Sequence, residues 1–269
     1  MNHPRRPGTG ASVASGHLQV VSTPIGNLAD LSPRAREALA GADLIACEDT
    51  RHTGLLLSRL GIKTRLVSYH EHNERQRLPS LLSALAGGQT VALVSDAGTP
   101  LVSDPGFLLV REAVAQGAKV EAIPGPSAVL AALVVSALPP LPFTFAGFSP
   151  PRPGKRRTFF TRLAALGHTI VFYESPYRVA ASLGDAAATF GERPAVVARE
   201  LTKLHEEVRR GTLGELAAAF EGESVRGELV VVVGPAVDAR DAGADELELP
   251  EGEREEDARR QRRSRRLAG

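Results

Sequence analysis

The order of apolar and polar residues divides the chain into alternating buried strands and amphipathic helices. From residue 18 to residue 123, short apolar runs alternate with stretches in which apolar residues recur at helical spacing. This order is typical of βαβ units, which build a mostly parallel sheet covered by helices. Strands are predicted at residues 18–22, 43–48, 65–68, 90–95 and 119–123. Helices are predicted at residues 33–41, 50–60, 73–86, 104–116 and 126–137.

The segment 138–142 (LPPLP) interrupts this pattern, because its three prolines suit neither a helix interior nor a central strand. The pattern therefore predicts two α/β domains, residues 18–138 and 143–235, between a disordered lead-in (1–17) and a charged, disordered tail (236–269). In the second domain, strands are predicted at residues 143–148, 169–174, 195–200 and 228–234. Helices are predicted there near residues 154–166, 177–190 and 212–220.

Charge distribution, cysteine content and the length of apolar runs limit the class of protein and its compartment. The 269 residues carry a net charge of +1, but acidic residues dominate 238–257 and arginines dominate 259–266. That arginine run can bind RNA, or it can be an ordinary solvated segment next to its acidic neighbours. The single cysteine, Cys47, excludes an intramolecular disulfide and a Cys-rich zinc site. No apolar run reaches the roughly 20 residues of a membrane span, and no secretory signal is recognisable. We expect a cytoplasmic protein with no membrane segment.

Three turns rich in small residues follow predicted strands of the first domain. They are residues 23–28 (TPIGNL), 95–106 (SDAGTPLVSDPG) and 124–128 (PGPSA). Ligands of open α/β sheets bind outside the carboxyl ends of the strands, so the three turns together predict a ligand site. Each turn alone is also explained as a tight connection that needs glycine. Neither G-x-G-x-x-G nor G-x-x-x-x-G-K-[ST] occurs, which argues against a nucleotide-dependent oxidoreductase or a P-loop ATPase.

Three further motifs carry titratable groups. CEDTRHT (47–53) places a carboxylate, an arginine and a histidine at the start of a helix, where Asp49 can equally be an ordinary helix cap. SYHEHNE (68–74) contains His70 and His72, and two histidines at this spacing give poor support for a metal site. FYESPYR (172–178) contains Glu174 and Arg178, which can form a plain i, i+4 pair.

These six motifs, taken in their order along the chain, resemble the ribosomal RNA small-subunit methyltransferase I family of the tetrapyrrole-methylase fold. The resemblance covers residues 18–235 and implies two α/β domains, a mostly parallel first sheet, a mixed second sheet and a cofactor in the cleft between them. It implies S-adenosylmethionine as the cofactor, no metal, and methylation of the ribose 2′-hydroxyl of a cytidine in small-subunit ribosomal RNA. A homodimer is also implied. Where tetrapyrrole methylases carry Gly-Asp-Pro, this chain has Gly98-Thr99-Pro100, which favours the ribosomal branch.

The resemblance also assigns residues to roles. The cofactor-binding residues it implies are Pro24, Ala97, Gly98, Thr99, Val102, Ser127, Ala128, Tyr173, Glu174 and Leu201. Its motifs make Asp49, Arg51, His70 and Glu174 candidate catalytic residues, and Arg51, His52, Arg178, Arg199 and Lys203 candidate contacts to RNA. Two other functions stay open at this point. One is a corrin- or sirohaem-type methylase, and the other is a non-catalytic RNA-binding factor of ribosome assembly that retains the fold.

Overall fold

The computed structural model describes residues 16–235 and begins with a sheet of five parallel strands. The strands lie in the order β3-β2-β4-β1-β5, and each pairs with its neighbours in parallel. They are β1 (His17–Val21), β2 (Leu44–Cys47), β3 (Arg65–Ser68), β4 (Thr90–Val94) and β5 (Lys119–Ile123). The central strands β2 and β4 are almost entirely buried, as a strand covered on both faces requires.

Helices cover both faces of this sheet and begin where the sequence supplies a cap. Ser32, Asp49 and Ser127 each accept a hydrogen bond from a backbone N–H in the first turn of α1, α2 and α5. The elements are a short 3₁₀ helix (Leu28–Asp30), α1 (Pro33–Gly41), α2 (Thr50–Leu60), α3 (Glu74–Ala86), α4 (Phe107–Ala115) and α5 (Ala128–Val135).

The second half forms a mixed five-stranded sheet in the order β6-β7-β10-β8-β9. Only β6 and β7 run parallel, and the remaining pairs in this sheet are antiparallel. Its elements are β6 (Phe143–Phe148), α6 (Pro153–Ala164), β7 (Thr169–Glu174), α7 (Val179–Phe190), β8 (Pro194–Arg199), β9 (Glu207–Thr212), α8 (Leu213–Phe220) and β10 (Leu229–Val233). The predicted fold class, with one mostly parallel and one mixed sheet, is confirmed.

Helix α5 joins the two halves, because it packs against the second sheet. Val129, Ala132 and Leu133 form one buried cluster with apolar residues of β7, β8 and β10, and Ile25 belongs to the same cluster. Burying apolar side chains is the main favourable term in folding. This packing therefore holds the carboxyl end of β1 beside the second sheet.

The structure differs from the predicted elements in a few places. Strand β9 was not predicted, because EVRRGT is a charged edge strand without an apolar run. Helix α4 begins at Phe107 instead of residue 104, so Asp104 lies in the preceding turn. The predictions for residues 1–15 and for the tail 236–269 fall outside the described residues, while β1 begins at His17. Among residues 16–235 there is no helix long and apolar enough to cross a membrane.

Candidate functional site

A cavity of about 380 Å³ lies between the two halves, within the usual range for small-molecule sites. One wall is built from the three small-residue turns of the first half, and we call it the turn wall. The other is built from the ends of β7, β8 and β10 and the loop after β8, and we call it the sheet wall. The cavity is lined by apolar side chains such as Ile25, Val102, Leu201 and Val230. Its charged lining residues include the carboxylates of Asp96, Asp104 and Glu228.

Hydrogen bonds fasten the three turns to one another. Thr23 and Gly98 exchange two backbone bonds, with N···O distances of 2.9 and 3.1 Å. The hydroxyl of Thr99 lies 2.9 Å from that of Ser22 and donates to the carbonyl of Pro126 at 3.3 Å. Residues from all three predicted turns therefore meet at one place, as the sequence pattern suggested.

The second turn also carries backbone strain. Gly98 has φ +77°, and the non-glycine residues Leu101 and Ser103 have φ +74° and +71°. A positive φ costs an ordinary residue about 1–2 kcal/mol, and such strain persists where the surroundings hold it in place. On the sheet wall, Glu200 (φ +50°) and Thr202 (φ +67°) flank the cavity residue Leu201. Both walls therefore hold strained loops at the cavity.

Aromatic rings shape the sheet wall. Tyr173 packs against Phe145 and Phe148 with ring centroids 5.0 and 5.1 Å apart. Burial raises the pKa of Tyr173 to about 12, and the charges of Asp104 and Glu228 add to this. The phenol stays protonated at neutral pH and can only donate or accept hydrogen bonds there.

Three carboxylates gather where β2 and β4 end: Asp96 and Asp104 lie on the turn wall, and Glu48 lines only the second, adjoining cavity. Burial raises the pKa of Asp104 to about 6, a hydrogen bond from Ser95 opposes this, and the charges of Glu48 and Asp96 raise it further. Burial also raises the pKa of Glu48, with Asp96 adding to the effect. In the described part of the chain, none of the three forms a salt bridge to Lys or Arg.

A second, more open cavity of about 760 Å³ adjoins the first. Its walls come from the end of β2, the start of α3 and the start of α4. The residues that line it include Glu48, Glu71, Glu74, Arg75, Phe107, Arg111 and Glu112. Ser103 and Asp104 line both cavities, so the loop before α4 forms the partition between them.

Most residues predicted to bind a cofactor lie on the first cavity. They are Ala97, Gly98, Thr99, Val102, Ser127, Ala128, Tyr173, Glu174 and Leu201. Pro24 is not among the lining residues, and its neighbour Ile25 takes that place. The assignment of these residues to cofactor binding stays a prediction.

The predicted catalytic residues occupy different surroundings. Asp49 accepts hydrogen bonds from the Arg51 side chain (2.7 and 3.2 Å) and from its backbone N–H (2.8 Å). The side-chain bond from Arg51, followed by the backbone bond, holds the pKa of Asp49 well below its usual range. His70 Nε2 lies 3.0 Å from the amide nitrogen of Asn73. Asp49, Arg51 and His70 line neither cavity.

Glu174 borders the first cavity, but its carboxylate is fully buried. It accepts hydrogen bonds from the hydroxyl of Ser149 and from the backbone N–H of Ser175 at 2.7 Å. Arg178 completes the group with an ion pair of 3.0 Å. The carboxylate therefore has partners on every side that the structure describes.

The residues predicted to contact RNA fall into two groups. Arg51 and His52 are exposed on the first turn of α2, and the Arg51 side chain is 90% exposed. Arg51 pairs with Asp49 there, whereas Arg178, Arg199 and Lys203 are at most 29% exposed and form ion pairs of their own. Arg199 pairs with Glu207 at 2.9 Å, and Lys203 with Glu200 and Glu228 at 2.8 and 3.1 Å.

Sequence reasoning passed over Asp96, Ser103 and Asp104, although all three lie within SDAGTPLVSDPG. The helix predicted at residues 104–116 includes Asp104, whereas in the structure Asp104 lies in the turn before α4 and lines the cavity. The S-D-P-G tetrapeptide is a turn signal that could have corrected this. Among residues 16–235, no group of three or more His, Cys, Asp or Glu side chains has the arrangement of a metal site.

Comparison with known proteins places this architecture. The profile of the tetrapyrrole (corrin/porphyrin) methylases matches residues 17–217. Among solved structures, diphthine synthase aligns over 82% of this chain and 90% of its own with a TM-score of 0.65 at 17% identity. Uroporphyrin-III-C-methyltransferase from Thermus thermophilus aligns over 86% of this chain and 100% of its own, with a TM-score of 0.55 at 22% identity. At these identities the two structures show the fold alone.

Curated relatives are much more similar in sequence. A protein of Mesorhizobium japonicum named ribosomal RNA small subunit methyltransferase I is 54% identical over 85% of this chain and 78% of its own length. A protein of the same name from Escherichia coli O157:H7 is 46% identical over 88% of this chain and 84% of its own length. The chain therefore belongs to the tetrapyrrole methylase family, within the group whose curated relatives are named ribosomal RNA small subunit methyltransferase I.

Proposed function

We propose that this protein uses S-adenosylmethionine to methylate the ribose 2′-hydroxyl of a cytidine in small-subunit ribosomal RNA. The observation that carries the proposal is the pair of adjoining cavities. The first is apolar with an acidic edge, and the second is open and lined by polar and aromatic groups. An enzyme that joins a small donor to a large acceptor needs such a pair. The names of the relatives supply the class of acceptor, small-subunit ribosomal RNA.

The residues of the first cavity fit S-adenosylmethionine. Its sulfonium is a cation, and the carboxylate of Asp96 offers a favourable environment for positive charge. Its adenosine presents a flat apolar face, for which Ile25, Leu201 and Val230 provide packing. Gly98 has φ +77°, a backbone conformation that glycine adopts without strain, and this conformation lets the turn line the cavity beside Ile25. We assign the cofactor to this cavity, held by the predicted residues that line it.

Positioning is the main task left to the protein. Bound S-adenosylmethionine supplies an activated methyl group. The chain then has to hold the acceptor oxygen in line and keep water out, and positioning of this kind lowers a barrier by roughly 7–11 kcal/mol. The bonds that tie the three turns together and the strained loops on both walls provide a preorganised frame for it.

For RNA, we propose that Arg51 and His52 meet phosphates at the mouth of the second cavity. Both are exposed, and an arginine can make bidentate contacts with a phosphate. Arg178, Arg199 and Lys203, like Arg51, lie in ion pairs, so each would have to exchange a carboxylate for a phosphate. RNA in which the target nucleotide is unpaired suits this site, because its base can be splayed out of the stack.

We further propose a homodimer that works in the cytoplasm. Helix α5 is apolar at every position, and its residues Leu130 and Val134 are 53% and 77% exposed. Leu141, which is 73% exposed, adds to the apolar surface after this helix. A second copy of the chain is the occupant we assign to it. Val134→Glu should then shift the sedimentation profile to the monomer, whereas Val114→Glu on α4 should leave it unchanged.

The activity is tested with purified protein, labelled S-adenosylmethionine and small ribosomal subunits that lack the modification. We expect one methyl group per subunit, recovered as 2′-O-methylcytidine after nuclease digestion and mass spectrometry. A uroporphyrinogen acceptor serves as the comparison, and methylation of it alone would support a tetrapyrrole methylase instead. Calorimetry with the cofactor is the second measurement. Absence of cofactor binding, together with binding of RNA, would identify a non-catalytic assembly factor.

A further inference from the structure

The partition between the two cavities contains one titratable side chain, Asp104, among the described residues. Ser103 and Asp104 are the residues common to both linings. A methyl group that leaves one cavity for an acceptor in the other has to cross at this partition. A group that takes the acceptor's proton must also lie within hydrogen-bond reach of the acceptor oxygen. Asp104 is open to both cavities and is therefore the titratable side chain located at this crossing.

The surroundings of Asp104 leave its carboxylate without a cation. Glu48 faces it from the end of β2 and Asp96 from the end of β4, while Tyr173 faces it from the sheet wall. Glu74 and Arg75 of α3 and Arg111 and Glu112 of α4 line the adjoining cavity. The pKa of Asp104 is raised to about 6 by burial and by its two acidic neighbours. A base near this pKa is ionised at neutral pH and is still able to hold a proton.

We propose that Asp104 is the catalytic base of this enzyme, taking the proton from the ribose 2′-hydroxyl as that oxygen accepts the methyl group. The inference rests on the proposed function and adds a residue to it. The oxygen–methyl bond forms while the sulfur–methyl bond breaks, and the electron pair of the broken bond stays on sulfur. The proton moves from the ribose oxygen to the carboxylate of Asp104 and then to water. Charge and atoms balance without a further reactant.

Backbone geometry holds this carboxylate in place. Ser103 has a left-handed φ, and Gly106 has φ +130°, which side chains rarely adopt. A Cβ on Gly106 would come within 2.8 Å of Leu93 Cδ2, so the loop lies directly on the end of β4. The hydroxyl of Ser95 donates to the carbonyl of Ala97 at 3.2 Å within the same segment. These restraints favour one position for Asp104, as preorganised catalysis requires.

The other acidic candidates have geometries less suited to the task. Asp49 caps α2, is bonded to Arg51, and lines neither cavity. Glu174 is fully buried and bonded to Ser149, Ser175 and Arg178. Asp96 accepts a hydrogen bond from the backbone N–H of Asp49 at 3.1 Å and lines the first cavity only. Glu48 lines the second cavity only.

Asp104→Asn tests the proposal because it keeps the shape of the side chain and removes the base. We expect single-turnover methylation of small subunits to slow by about 10²- to 10⁴-fold. The cofactor Kd, measured by calorimetry, and the binding of subunits should change less than about threefold. Asp43→Asn is the matched control, since Asp43 accepts a bond from Thr90 N at the opposite end of the same sheet. Its turnover should equal that of the unmodified protein.

Two readouts separate a base from a structural residue. The pH–rate profile of the unmodified protein should fall below about pH 6 with a slope of one, and Asp104→Asn should lose this limb. Carbon-13 NMR of labelled aspartate carboxyls, in protein without substrate, should show a titration near pH 6 that disappears in Asp104→Asn. A titration near pH 4 would contradict the proposal.

Three further results would overturn the inference. If Asp104→Asn methylates subunits at the rate of the control, Asp104 is not the base. A loss of turnover matched by an equal loss of cofactor affinity makes Asp104 a cofactor ligand instead. If the unmodified protein and Asp43→Asn bind cofactor but do not methylate subunits, the proposed function itself fails, and the inference fails with it. The first two results leave the proposed function intact, so the two failures are distinguishable.

Discussion

The two walls of the first cavity treat their carboxylates in opposite ways. On the sheet wall, Glu174 is paired with Arg178, and Glu200 with Lys203. Burial alone would raise the pKa of Glu200, but hydrogen bonds from Lys203 and the Glu228 backbone lower it. On the turn wall, Asp104 has no such cation in residues 16–235, and burial raises its pKa to about 6, as burial also raises the pKa of the neighbouring Glu48.

This difference separates structure from chemistry. A carboxylate fixed by cations and backbone N–H groups is a poor proton acceptor, because its charged form is already stabilised. A half-buried carboxylate next to like charges gains most from taking up a proton. Raised pKa values of this kind cluster at functional sites. The paired carboxylates of the sheet wall therefore serve to hold the structure rigid, and the turn wall carries the carboxylate that we propose as the base.

Arg178→Ala gives the largest expected effect and tests the frame. It leaves the fully buried Glu174 without its cation, and breaking a buried pair costs about 3–5 kcal/mol. Because Arg178 is itself 29% exposed, we expect about 3 kcal/mol of lost unfolding free energy in urea titrations. Arg111→Ala is the control, since its pair with Glu112 is surface-exposed. A loss equal to that of the control would remove the contrast between the walls.

Gly98→Val tests the turn wall through the cofactor. Valine at φ +77° adds about 1–2 kcal/mol of backbone strain and extends toward Ile25, so cofactor affinity should fall at least about 10-fold. Calorimetry measures this directly. Gly61→Val has a matching φ of +71° and nothing within 4 Å of its Cβ. It should lose stability and keep cofactor affinity. Equal affinities in the two variants would move the cofactor away from this turn.

Asp104→Asn should also make the protein more stable at neutral pH. The pKa of Asp104 is raised from 3.8 to about 6. The free energy of unfolding therefore falls as the pH rises from about 4 to 6, because the folded protein has to ionise a carboxyl group that it holds more stably in the protonated form. Removing the charge should add about 1–2 kcal/mol above pH 7, after allowance for solvent screening of a partly exposed group. Below pH 4 the difference should vanish. Urea titrations from pH 4 to pH 8 measure this dependence, and a stability gain at all pH values would contradict it.

Thr99→Val should have the smallest effect. It removes the hydroxyl contacts to Ser22 and Pro126, which join the three turns, at a cost of about 1 kcal/mol. Thr64→Val removes a hydroxyl bond to Leu39 O at 2.7 Å, far from the cavity. Both variants should lose similar stability in urea titrations, but only Thr99→Val should weaken cofactor binding, by a few-fold in calorimetry. A similar Kd in both would mean that the turns are positioned without Thr99.

Local signals explain which elements were predictable. Ser32, Pro33 and Gly41 mark the ends of α1, and buried β-branched runs mark β4 and β10. Strand β9 was missed because its residues are polar at an edge, where pairing with β8 decides the structure. The start of α4 was missed because Pro105 and Gly106 override the helical spacing that continues beyond them.

The sequence by itself determined the strands and helices apart from β9, the three small-residue turns and the six motifs, and through the family resemblance of those motifs the two sheet types. Those depend on local propensity and on motifs read in order. Only the tertiary structure decided that Asp104 separates two cavities, that Glu174 is neutralised by Arg178, and that Arg199 and Lys203 are paired internally. The physical reason is that a carboxylate's behaviour depends on its burial and on charges brought close by packing. Residues far apart in the chain supply both.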